Sequence, residues 1–193
     1  MSDAASFAKD YLIQQGIDLR HISWKKLQGD GSDRVFFRIS HPEGSVILMV
    51  HEHPHVNDAG VSENDSFAYL CRHLKTKGID TPEIYREQED RGFIILEDLG
   101  DIHFQHEALR IKHAPGELEA LYQKVLDVLP LMQIEGARGL DPGRVHSAPY
   151  ERHFVLNRES GYFFRAFLKG YLHLKFRNHP LRKQLFESLR EIP

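Results

Sequence analysis

The first apolar pattern in the chain is helical: Ala4, Phe7, Ala8, Tyr11 and Leu12 recur at helical spacing, with Ser2 and Asp3 before them as caps and Gly16 after them as a stop. This predicts an amphipathic helix over 4–15, read as a lid. From residue 22 the texture changes to β-branched and aromatic runs, Ile22-Ser23-Trp24, Val35-Phe36-Phe37-Arg38-Ile39 and Val46-Ile47-Leu48-Met49-Val50. The polar stretches Gly29-Asp30-Gly31-Ser32-Asp33 and His41-Pro42-Glu43-Gly44 separate them, so three antiparallel strands joined by two turns follow. Ser62-Glu63-Asn64-Asp65 has the form of a capping box, and Phe67, Leu70, Cys71 and Leu74 then keep helical spacing up to Gly78. Thr81-Pro82 forces extended backbone, 83–87 suits a short strand and 88–92 a turn. Phe93-Ile94-Ile95-Leu96 then reads as a buried strand running into Glu97-Asp98-Leu99-Gly100.

Beyond Gly100 the strand signals stop. Pro115 suits the first turn of a helix whose positions Leu118, Leu121, Tyr122, Val125, Leu129 and Met132 keep a 3.6-residue period, with Pro130 expected to kink or shorten its end. Residues 136–149 read as a loop, 150–174 as an aromatic-rich helix carrying Phe154, Phe163, Phe164, Phe167, Tyr171 and Leu172, and 181–190 as one more short helix. Two blocks result: a mixed β lobe with its N-terminal helix over 1–100, and a helical block over 101–193.

Composition narrows the classes. A chain of 193 residues with 41% hydrophobic positions can bury a sizeable core without metal or disulfide staples. The one cysteine, Cys71, cannot close an internal disulfide, and with no signal-like N-terminus the expected compartment is the cytoplasm. The apolar run 46–50 is far shorter than the roughly 18 residues of a membrane helix, so no membrane partner is expected. Net charge is −3 from 25 Lys+Arg against 28 Asp+Glu, with neither sign gathered into a block, which argues against nucleic acid. The 13 histidines raise a metal hypothesis, since His51, His53 and His55 would share one face of a continued strand with Asp58 near by. A solvent-facing strand end is the expected alternative, and Cys71 is read as a small buried hydrophobe.

Five antiparallel strands with one helix inserted after the third resemble the small lobe of protein-kinase-like folds. The segments Gly29-Asp30-Gly31-Ser32-Asp33-Arg34-Val35-Phe36-Phe37-Arg38, Lys77-Gly78-Ile79-Asp80-Thr81-Pro82-Glu83-Ile84 and Phe93-Ile94-Ile95-Leu96-Glu97-Asp98-Leu99-Gly100 are similar to the aminoglycoside-phosphotransferase-like kinases. The nearest likeness is the branch that phosphorylates amino sugars such as N-acetylmuramate and N-acetylglucosamine at the anomeric hydroxyl. It covers about residues 20–175.

The resemblance implies an α+β fold, a small lobe followed by helices of a large lobe, with ATP and Mg²⁺ as cofactors and a small-molecule hydroxyl as acceptor. Gly29, Gly31 and Ser32 would approach the phosphates, because glycine lets backbone N–H groups close on anionic oxygens. Arg34 stands where the protein-kinase pattern has its third glycine, and Met49 stands near the usual strand-three lysine. The charge for the α- and β-phosphates would therefore come from Arg34, Arg38 or Lys26, with Glu63 as the partner carboxylate. The backbone of Glu97 and Leu99 would read adenine at a hinge, while Asp98-Leu99-Gly100 only mimics a metal-binding tripeptide.

The acceptor-orienting H-x-D-x-x-x-x-N pattern and the following magnesium Asp do not occur after residue 101. In the family they follow helices that resemble residues 150–190, so the expectation is an N-terminal portion, inactive alone, with its magnesium ligands outside it. The competing expectation is a pseudokinase-like module that holds a nucleotide or a protein. Self-association through the aromatic helix is also expected, because several of its rings would lack cover.

Overall fold

The computed structural model describes residues 2–28, 33–151 and 154–174, in two compact units, one running to His146 and one from Ser147. The first unit is α+β. Its strands are β1 (Ser23–Lys26), β2 (Val35–His41), β3 (Gly44–Val50), β4 (Ile84–Gln88) and β5 (Phe93–Glu97). They form one antiparallel sheet in the order β1-β2-β3-β5-β4. Helix α1 (Ser2–Gln14) precedes the sheet, and α2 (Glu63–Thr76) lies between β3 and β4.

The two faces of the sheet follow from the pleat. Ile39, Val46, Leu48, Phe93 and Ile95 point to one side, where Ala4, Phe7, Ala8 and Leu12 of α1 cover them in a single cluster. Phe7 and Phe93 meet there with ring centroids 5.8 Å apart. Ile47, Met49, Ile94 and Leu96 point to the other side and pack with Leu27, Phe36, Phe67 and Ile84. Helix α1, expected as a lid, is a wall of the core: its four apolar positions are less exposed than any lid surface, with Ala8 and Leu12 at 0%.

The capping box of α2 forms as its sequence requires: Ser62 Oγ accepts from the Asp65 amide and Asp65 accepts from the Ser62 amide. β1, β2, β4 and β5 run one or two residues past their expected ends, and β3 begins two residues early, because pairing extends wherever a neighbour offers a ladder. Thus His41 pairs with Gly44 across the two-residue turn Pro42-Glu43, and Lys25 and Lys26, too polar to read as strand, pair with Arg38 and Phe37.

A short helix α3 (Phe104–Arg110), absent from the sequence reading, precedes α4 (Pro115–Ile134). Its Phe104 ring meets Tyr122 edge-on at 5.0 Å, a tertiary contact no local pattern announces. The expected shortening at Pro130 does not occur. Proline removes one N–H and the helix continues past it, with the Glu135 amide donating to the Leu131 carbonyl.

In the second unit the chain over Val155–Ser160 and Phe163–Tyr171 is π-helical rather than regular α, with the Leu172 amide donating to the Phe167 carbonyl. The wider turn stacks Phe163 on Phe167 and Phe167 on Tyr171, at 5.3 and 5.8 Å. Phe164 is buried, whereas Phe163, Phe167 and Tyr171 are exposed. The helix expected at 181–190 lies outside the described residues, as does the turn bearing Gly29, Gly31 and Ser32.

Candidate functional site

The side of the sheet away from α1 opens into a cavity of about 650 Å³. Its apolar floor is Leu27, Phe36, Ile47 and Leu96, and its rim is Lys25 and Lys26 of β1 and the backbone from Glu97 to Asp101 that follows β5. A volume of this size lies within the range of small-molecule sites, and the hollow is open on one side with a largely polar rim. The register explains why one wall is polar: Phe36 and Arg38 share the face, and Lys25 stands directly opposite Arg38 on β1.

Two like charges at one cross-strand pair require compensation. Arg38 finds it in the segment after β5. Its Nε donates to Asp98 Oδ2 at 2.6 Å and its Nη2 to Asp98 Oδ1 at 2.9 Å, while Nη1 donates to Asp101 Oδ2 at 2.7 Å. Ser45 Oγ donates to Asp98 Oδ2 at 2.6 Å, and the Gly100 amide to Oδ1 at 2.9 Å. Asp98 is thus saturated, at 6% side-chain exposure. Burial pushes its carboxyl up, but the hydrogen bonds from Arg38, Ser45 and the Gly100 amide together hold it below the usual carboxylate range. The Arg38 hydrogen bond likewise lowers the exposed Asp101, and Asp101 and then Asp98 raise the guanidinium above its ordinary value.

The expected phosphate candidates separate accordingly. Arg38 is occupied by two carboxylates and anchors the segment after β5. Lys26 borders the cavity along β1, but its register partner Phe37 belongs to the α1 side, and directly opposed residues share a face, so the pairing turns Lys26 away from the cavity floor. Arg34 lies outside that lining, its guanidinium carbon 5.7 Å from the Phe67 ring centre. Met49 is fully buried in the core, so no charge could enter from that position. Glu63, at the start of α2, has Oε2 3.7 Å from His51 Nε2.

Glu97 and Leu99 both line the cavity. The Glu97 amide donates to the Glu83 carbonyl at 2.9 Å, and its carboxylate accepts from the Glu83 amide at 3.0 Å, which fixes the end of β5 to the residue preceding β4. The Leu99 amide makes no hydrogen bond among the described residues, and Leu99 is exposed.

The three histidines disperse because β3 ends at Val50, and alternation without a strand does not share a face. His51 is buried, its Nδ1 3.0 Å from Asn64 Oδ1, and Asn64 Nδ2 donates to the His51 carbonyl at 3.1 Å. His53 is exposed, and His55 Nδ1 lies 3.0 Å from His146 Nε2. Asp58 is exposed in the loop between. Among the described residues no cluster of three His, Cys, Asp or Glu is placed to hold a metal ion. Cys71 is buried, and burial pushes its thiol up, away from reactivity. Sequence reasoning missed Lys25, Ser45 and Asp101. The polar pair Lys25-Lys26 before the apolar Leu27 was the available signal for the first. No family model matches the chain, and no curated protein matches it.

Proposed function

We propose that the first unit binds a purine nucleotide in the cavity beneath β1 and β2, as the nucleotide-binding portion of an ATP-dependent phosphotransferase acting on a sugar or amino-sugar hydroxyl. The observation that carries the reading is the cavity itself. An apolar floor of Leu27, Ile47 and Leu96 faces the segment after β5, whose Leu99 amide makes no hydrogen bond among the described residues, an arrangement that suits a planar, hydrogen-bonding heterocycle. The sheet order β1-β2-β3-β5-β4 with α2 after the third strand supports it, being the order of a kinase-like small lobe.

In this reading the base lies on the floor, the Leu99 amide donates to a ring nitrogen, and Arg38 holds the segment after β5 at a fixed distance from β2. Magnesium would supply charge neutralisation to the transferring group. Asp98 and Asp101 do not fit that ion, since Arg38 already engages both carboxylates.

Calorimetry on this chain tests the reading. ATP is expected to bind no better than high micromolar, barely dependent on magnesium, with no phosphate transferred to any sugar or aminoglycoside. Tight, magnesium-dependent binding contradicts this assignment of the metal ligands. The second reading is a non-catalytic pseudokinase-like module that holds a nucleotide or a protein. The coding sequence past codon 193 separates the two: a continuing frame with the H-x-D-x-x-x-x-N pattern supports the enzyme, and a stop codon supports the module.

A further inference from the structure

The arginines of the sheet and its flanking helices divide sharply by partner. Arg20, Arg38, Arg72 and Arg91 each pair with a carboxylate, to Asp18, to Asp98 and Asp101, to Glu87 and to Asp3. Arg34 and Arg86 instead lie over aromatic rings, Phe67 and Phe7. Arg86 belongs to the face that α1 covers, with Phe7 in its core cluster. Arg34 stands immediately before β2, and its ring partner Phe67 packs against the cluster of Ile47, Met49, Ile94 and Leu96 on the opposite face.

Arg34 is half-buried, and its Nε is fully shielded with no hydrogen-bond partner among the described residues. Among the described residues no carboxylate pairs with it; a guanidinium taken partly out of water without a counter-charge is costly, and stacking on a ring offsets only part of that cost. Glu63, the carboxylate at the start of the same helix, approaches His51 instead. The cation therefore lies over Phe67 with its Nε unpaired among the described residues, two positions before Phe36 of the cavity floor.

Resting on the nucleotide reading above, we infer that Arg34 is the residue that binds the polyphosphate of the ligand, with Phe67 holding its guanidinium in position. A guanidinium presents paired donors that match phosphate oxygens, so one residue can hold two oxygens at once. The ligand class is a nucleoside di- or triphosphate rather than a nucleoside.

The test compares adenosine, ATP and inorganic tripolyphosphate on the full chain by calorimetry, for the wild type, Arg34→Gln and Arg34→Lys. In the wild type ATP binds more tightly than adenosine, and tripolyphosphate competes with it. Arg34→Gln is expected to weaken ATP about tenfold, the loss typical of a charge-assisted contact, with adenosine unchanged and tripolyphosphate competition abolished. Arg34→Lys keeps the charge and is expected to fall between the two. If ATP and adenosine weaken together in Arg34→Gln, or neither weakens, Arg34 is structural and the inference is overturned while the nucleotide cavity stands. If the wild type binds neither adenosine nor ATP, the cavity reading itself fails and this assignment falls with it.

Discussion

Arg38 of β2 grips Asp98, which follows β5, through two parallel hydrogen bonds of 2.6 and 2.9 Å, and at 13% and 6% side-chain exposure the pair is nearly closed to water. The bond joins the second strand to the segment that rims the cavity. Breaking one half strands the other charge at low exposure. Arg38→Met is therefore expected to lower stability by about 3 kcal/mol, near the lower end for a buried pair because Arg38 still reaches the cavity mouth. The double variant Arg38→Met/Asp98→Leu is expected to recover part of that loss. Urea denaturation of Arg38→Met, Asp98→Leu and the double variant measures it, and additive losses would show that the two residues do not act as a pair.

The same carboxylate sets a pH dependence. Asp98 has its folded-state pKa below the unfolded value, so its contribution is complete above the ordinary Asp pKa of about 3.9 and is lost as pH falls through the lower folded value. Melting temperature is expected to drop steeply below about pH 4, and Asp98→Asn is expected to flatten that drop while lowering stability at neutral pH. An unchanged acid limb in Asp98→Asn contradicts the assignment.

Gly92 closes the turn before β5 at φ +66°, where a Cβ would lie 1.9 Å from the His51 carbonyl oxygen and 3.0 Å from Asn64 Nδ2. The His51 amide donates to the Gly92 carbonyl at 2.8 Å, so neither chain can withdraw without loosening the other. Gly92→Ala is expected to cost more than about 2 kcal/mol, combining left-handed strain with a backbone clash. Thermal denaturation reads this, and a loss below half that size would mean the turn relaxes.

Helix α1 carries a fourth expectation. Leu12, with 0% exposure beneath the sheet, is expected to cost about 3 kcal/mol on replacement by Ala, as a fully buried leucine does. A surface helix acting as a lid would lose well under half of that in the same denaturation experiment.

The sheet was legible in the sequence wherever alternation or a buried run was long: Val46 to Val50 and Phe93 to Leu96 lie in strands, and Ser62 to Asp65 cap their helix. Lys25 and Lys26 were not legible as strand, because their place in the ladder is set by Arg38 and Phe37 of the neighbouring strand. Asp98 read as a coincidental metal-motif mimic, and its bonds to Arg38 and Ser45 arise from residues 60 and 53 positions away, which no local pattern encodes. The alternating His51, His53 and His55 misled for the opposite reason: a two-residue period implies a common face only while the strand continues.

Amide chemical-shift mapping of the chain titrated with ATP tests nucleotide binding in the cavity most directly. The largest perturbations are expected at Leu27, Ile47, Leu96 and Leu99, on the floor and rim of the cavity of about 650 Å³. Perturbations confined to the polar hollow lined by Asp3, Asp10, Arg86 and Arg91, or none at millimolar ATP, would contradict it.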